Sequence, residues 1–65
     1  MFTLLLDNKK NDKTLIIKLP IVPRAGDWIR LDNEDDFTGD ETLMVVDLVI
    51  LCPASDIIKV VVTPN

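Results

Sequence analysis

Leu19-Pro20-Ile21-Val22-Pro23-Arg24-Ala25-Gly26-Asp27-Trp28-Ile29-Arg30-Leu31 decides how this chain is read. Two of the four prolines, one of the two glycines and the only tryptophan lie in it. Pro20 and Pro23 fix their own φ and push Leu19 and Val22 towards extended geometry. Gly26 accepts a positive φ at little cost, and Asp27 can bond nearby backbone. The stretch therefore predicts an extended lead-in, a tight turn at Ala25-Gly26-Asp27 and a strand over Asp27 to Leu31.

On the N-terminal side, two apolar runs flank a polar one. Phe2 to Leu6 and Thr14 to Leu19 enclose Asp7-Asn8-Lys9-Lys10-Asn11-Asp12-Lys13. This arrangement predicts a β-hairpin with a solvated, lysine-bearing tip. Leu15, Ile17 and Leu19 alternate with Thr14, Ile16 and Lys18, as a strand with one core face requires.

On the C-terminal side lies an acidic segment, residues 32–41, in which six of ten residues are carboxylates. Hard cations favour several oxygens, so a calcium site is one reading. Against a helix-loop-helix calcium loop, Asp32, Glu34 and Asp36 fit the first three ligand positions. Phe37 then occupies the place of the obligatory glycine, and Leu43 that of the bidentate glutamate, so the match fails. The expectation is a solvated acidic loop. Glu34, Asp35, Asp36 and Asp40 are its candidate contacts to a basic surface, and Phe37 folds back on the core edge.

Leu43 to Cys52 is the longest strand candidate. Met44, Val46, Leu48 and Ile50 are expected on one face, with Leu43, Val45, Val49 and Leu51 on the other, broken only by Asp47. A strand apolar on both faces needs cover on both. Pro53-Ala54-Ser55-Asp56 reads as a turn and Ile57 to Thr63 as a last strand. Five strands separated by turn signals predict an all-β fold, a small five-stranded barrel or compact sandwich, mostly antiparallel, in a single domain over residues 1–65.

Composition narrows the function. A chain of 65 residues buries only about 60% of its unfolded surface, so small domains need staples or partners. There is one cysteine and no histidine, which leaves no internal disulfide and too few ligands for zinc. Cys52, after an apolar strand, is expected to be a buried thiol. Apolar residues make up 48% of the chain, enough for a core. A net charge of −4 disfavours phosphate backbones and anionic membranes. The apolar start stops at Asp7, too short for a signal peptide, and no run approaches the ~20 residues that span a bilayer. The expected setting is the reduced cytoplasm.

No catalytic constellation is expected, and no cofactor or metal. Ser55 has no base beside it. Asp47, the one carboxylate inside an apolar strand, is expected to face solvent or to pair with Lys18, Arg30 or Lys59. Trp28 competes between filling the core, the favoured role, and anchoring a partner. Together these features predict a non-enzymatic module that self-associates, for instance as a homodimer, or docks on a larger protein. Trp28, Val45, Val49 and Leu51 are the candidate interface. The alternatives are an acidic regulatory or mimic protein acting through residues 32–41, and a calcium-stabilised domain.

Pro23-Arg24-Ala25-Gly26-Asp27-Trp28-Ile29, followed by a loop and Val45-Val46-Asp47-Leu48-Val49, resembles the P-x-x-G-D-x-I/V pattern of Src-homology-3-like small barrels of bacterial and phage proteins. The resemblance covers about half the chain and implies a fold, not an activity. Proline-motif readers of that fold use clustered aromatics, and this chain has no tyrosine. KOW-type ribosomal modules are similar at Gly26-Asp27, but their RNA-facing surfaces are basic where this chain is acidic.

Overall fold

The computed structural model describes residues 1–65. Five strands form one mixed sheet: β1 (Phe2–Asn8), β2 (Lys13–Leu19), β3 (Trp28–Arg30), β4 (Leu43–Ile50) and β5 (Ile57–Pro64). A single helical turn, α1 (Asp35–Thr38), sits between β3 and β4. The sheet order is β2-β1-β5-β4-β3, and the sheet curls into a half-barrel. Three of its pairings are antiparallel, while β1 and β5 run parallel.

The hairpin forms as its pattern dictates. Leu4 faces Ile17 and Leu6 faces Leu15, so both strands turn their branched side chains inward together. The proline-rich segment then carries the chain from one edge of the sheet to the other. The Asp27 amide donates to the Arg24 carbonyl at 3.0 Å, and Gly26 stands at φ +93. The Asp27 carboxylate accepts from the Arg24 amide at 2.8 Å, closing the turn from the other side. β3 then pairs only Trp28 to Arg30 with β4, a shorter strand than the sequence suggests.

The core consists of Leu4, Leu6, Ile29, Phe37, Met44, Val46, Val60 and Val62, with Leu15, Ile17, Leu19, Leu31, Val49 and Ile58 packed around it. Phe37 is buried, as its position in a polar loop suggested, and α1 carries it there. Gly39 ends α1 in the left-handed region, its amide donating to the Asp35 carbonyl at 2.8 Å.

One strand departs from simple alternation. The β4–β5 register shifts between Val46 and Leu48, with Asp47 as the extra residue. A bulge of this kind reverses the faces of everything after it. Val46 lies opposite Val62 in the core, but Leu48 lies opposite Val61 and Ile50 opposite Lys59, on the outer face. Val49 lies opposite the buried Val60 and packs against the core. The expected face assignment is therefore corrected beyond Asp47: Leu48 and Ile50 exchange places with Val49. Two further expectations are corrected. Trp28 is 60% exposed, because Ile29, opposite Met44, takes the core side of β3 and alternation puts Trp28 on the other face. Cys52 is exposed, because β4 ends at Ile50 and the chain has already left the sheet.

Candidate interaction surface

The inner face of the half-barrel holds the core, and no second layer covers the outer face. The ladders define that surface. Ile16 lies beside Leu5, Leu5 beside Lys59, and Lys59 beside Ile50. In the next row Asp7 lies beside Val61, and Val61 beside Leu48. Val45 lies between Thr63 and Trp28. Ile16, Trp28, Leu48, Ile50 and Ile57 are all exposed. The Lys59 ammonium sits 3.6 Å from the Asp7 carboxylate, a charge pair set among these apolar side chains. Through that pair Lys59 presents its methylene stem to the face.

Asp47, projected outward by the bulge, accepts from the Thr63 hydroxyl at 3.2 and 3.3 Å. It faces solvent, as expected. None of the cations suggested for it is its partner: Lys59 holds Asp7, and Arg30 holds Asp32 at 3.2 Å.

At the β3 side of the sheet, β4 outruns its neighbour. Beyond Val46 no strand lies alongside it, and a groove of about 480 Å³ opens there between the 22–25 segment and the end of β4. Val22, Pro23, Arg24, Leu48, Val49 and Leu51 line it. Of the expected interface residues, Trp28 and Val45 sit together on the outer face, Leu51 stands exposed at the groove, and Val49 lies at its floor against the core.

The acidic segment is a separate surface. Glu34, Asp35, Asp36 and Asp40 are partly or fully exposed on and around α1. A cleft between α1 and the hairpin tip is lined by Asp12 and Lys13 from the hairpin and by Glu34 and Asp36 from the α1 side. No three carboxylates converge closely enough to hold a metal ion. No helix is long and apolar enough to cross a membrane.

No family model, curated protein or solved structure matches this chain. The surface must therefore be read from its own residues.

Asn8, which the sequence pattern groups with the polar tip of the hairpin, is the residue that sequence reasoning misses. It is completely buried. Its Nδ2 donates to the Phe37 carbonyl at 2.7 Å, and its Oδ1 accepts from the Lys10 amide at 3.0 Å. Asn11 Nδ2 donates to the same Phe37 carbonyl at 3.0 Å. Two amides from the hairpin thus hold α1 over the open seam of the half-barrel. The signal was available: Leu4, Leu6 and Asn8 recur at every second residue, which puts Asn8 on the core face.

Proposed function

We infer that this chain is a non-enzymatic protein-interaction module, with a second copy or a larger protein as its partner. The observation that carries the reading is the uncovered outer face, where Ile16, Trp28, Leu48, Ile50 and Ile57 stand exposed around one charge pair. Contiguous apolar surface of this kind marks docking sites, because water gains when it is covered. Trp28 suits the role of anchor, since it offers a large rigid area and costs little side-chain entropy to order. The Src-homology-3-like resemblance belongs to the same proposal and is supported by the Gly26 turn leading directly into β3.

The test is the solution mass over a range of concentrations, for the native chain and for Leu48→Lys. A mass that rises above 7.3 kDa with concentration, and no longer does so in Leu48→Lys, supports pairing of two copies through this face. A native monomer whose mass, solubility and partner capture from its host are all unchanged by Leu48→Lys overturns the reading.

A second reading uses the acidic segment as a surface for a basic partner. It is favoured by the exposure of Asp35, Asp36 and Asp40, which leaves their charge free to steer a cationic surface.

A further inference from the structure

We propose that the free edge of β4 is a strand-addition site, which takes an extended, apolar, carboxylate-bearing segment of a partner protein. The proposal rests on the reading of the chain as an interaction module and names how and with what it docks.

Hydrogen-bonding direction along β4 follows from the ladder. The Gly26 amide donates to the Val46 carbonyl at 2.8 Å, and the Val46 amide donates to the Asp27 carbonyl at 2.9 Å. Val46 thus turns its backbone away from β5, and Val45 turns towards Thr63. Val61 and Lys59 lie two and four residues before Thr63 on an unbroken strand, so they face β4 in the same way, and they meet Leu48 and Ile50. Val49, between those two, turns its N–H and C=O away from β5 and towards the groove. β3 ends its pairing at Val45, the turn at Gly26 and Asp27 takes Val46, and nothing in the chain pairs with Val49. Unpaired edge groups are a template for an added strand.

The walls of the groove state what that strand must carry. Val22, Pro23, Ala25, Leu48 and Leu51 offer apolar contacts on either side of the edge. Pro23 lacks an amide donor and cannot itself zip onto β4. Arg24 is the one charged residue lining the groove. Its guanidinium is not in either ion pair of the protein, and the nearby Asp27 carboxylate is engaged by the Arg24 backbone instead. A free guanidinium beside an apolar slot favours a carboxylate, with its planar fork matching both oxygens. An acidic residue within an apolar extended segment satisfies edge, walls and charge together.

The experiment uses the full chain, labelled with nitrogen-15, and short capped peptides that alternate valine and threonine around one central glutamate. Amide shifts and hydrogen exchange are the readouts. In the free chain the Val49 amide should exchange fast, while those of Val60 and Val62 are protected. Adding the peptide should shift Val22 to Ala25 and Leu48 to Leu51 and slow exchange at Val49. A central lysine, or Arg24→Ala in the protein, should weaken binding about fivefold or more. N-methylation of the peptide backbone on the side facing β4 should abolish binding. Arg24→Ala spares the turn, which uses only the Arg24 backbone.

Absence of shifts at 48–51 with every peptide overturns the proposal. So does Val49 protection that rises with concentration of the chain alone, since a second copy would then occupy the edge. Shifts confined to Leu5, Ile16 and Val61 also overturn it, yet they leave docking on the outer face standing. Failure of that broader reading shows separately, in a solution mass and partner capture unchanged by Ile16→Lys, which lies on the outer face and does not line the groove.

Discussion

Replacing Asn8 with alanine removes a side chain that is fully buried and makes two hydrogen bonds, one to the Phe37 carbonyl and one from the Lys10 amide. Each such bond contributes about 1 kcal/mol net, and the vacated volume adds roughly a further 0.5 kcal/mol. The Phe37 carbonyl is not left bare, because Asn11 still donates to it at 3.0 Å. The expected loss for Asn8→Ala is therefore about 2 kcal/mol. Asn11→Ala, at an exposed site, should lose only about 0.5–1 kcal/mol. The double variant removes every side-chain donor from a carbonyl at the edge of the core, and its loss should exceed the sum of the two by about 1 kcal/mol. A core of this size supplies about 3–5 kcal/mol in all, so the double variant should be largely unfolded in water. Urea titration followed by far-ultraviolet circular dichroism measures each midpoint, and a common slope allows conversion to free energy. Loss below 0.5 kcal/mol for Asn8→Ala, or strict additivity, would refute the view that the two amides jointly hold α1 on the seam.

Other expectations are simpler. Gly26→Ala meets no atom within 4 Å of the new methyl group, so its cost is conformational, from φ +93. It should lose about 1 kcal/mol in urea titration after the gain from a stiffer unfolded chain. Met44→Ala empties a completely buried position facing Ile29 and should lose about 2–4 kcal/mol, enough to unfold much of the chain at room temperature. Replacing Asp35, Asp36 and Asp40 together with asparagine should leave the fold intact. It should also reduce the salt dependence of binding to a cationic resin or partner, if the acidic surface is used.

Much of the fold was legible because both strand patterns and turn chemistry act locally. The hairpin followed from alternation in Thr14 to Leu19, and the β3 turn from Pro23 and Gly26. The outer surface was legible only in part. The two apolar faces of Leu43 to Leu51 were visible, but their assignment depends on the extra residue at Asp47. A bulge is decided by pairing with β5 and by the Asp47–Thr63 hydrogen bonds, which involve residues far apart in sequence. The clue was an acidic residue in an otherwise apolar run. The bulk of Trp28 argues for a core position, whereas its exposure follows from Ile29 taking the core side of a three-residue strand. The helical turn at Asp35 to Thr38 has no side-chain N-cap and is too short to propagate alone. It exists because Phe37 is buried and its carbonyl is held by Asn8 and Asn11, contacts spanning 29 and 26 residues.

The interaction surface depends on which face of β4 is open after the bulge. Urea unfolding of Leu48→Lys and Val49→Lys, side by side at low micromolar concentration, tests this most directly. If Leu48 stands on the open face, lysine there should change stability by less than about 0.5 kcal/mol. Lysine at Val49, against Val60 and the core, should cost about 2 kcal/mol or more. The reverse order, with Leu48→Lys unfolding the chain and Val49→Lys tolerated, would mean that strict alternation continues through Asp47. The proposed interaction surface would then be turned inward.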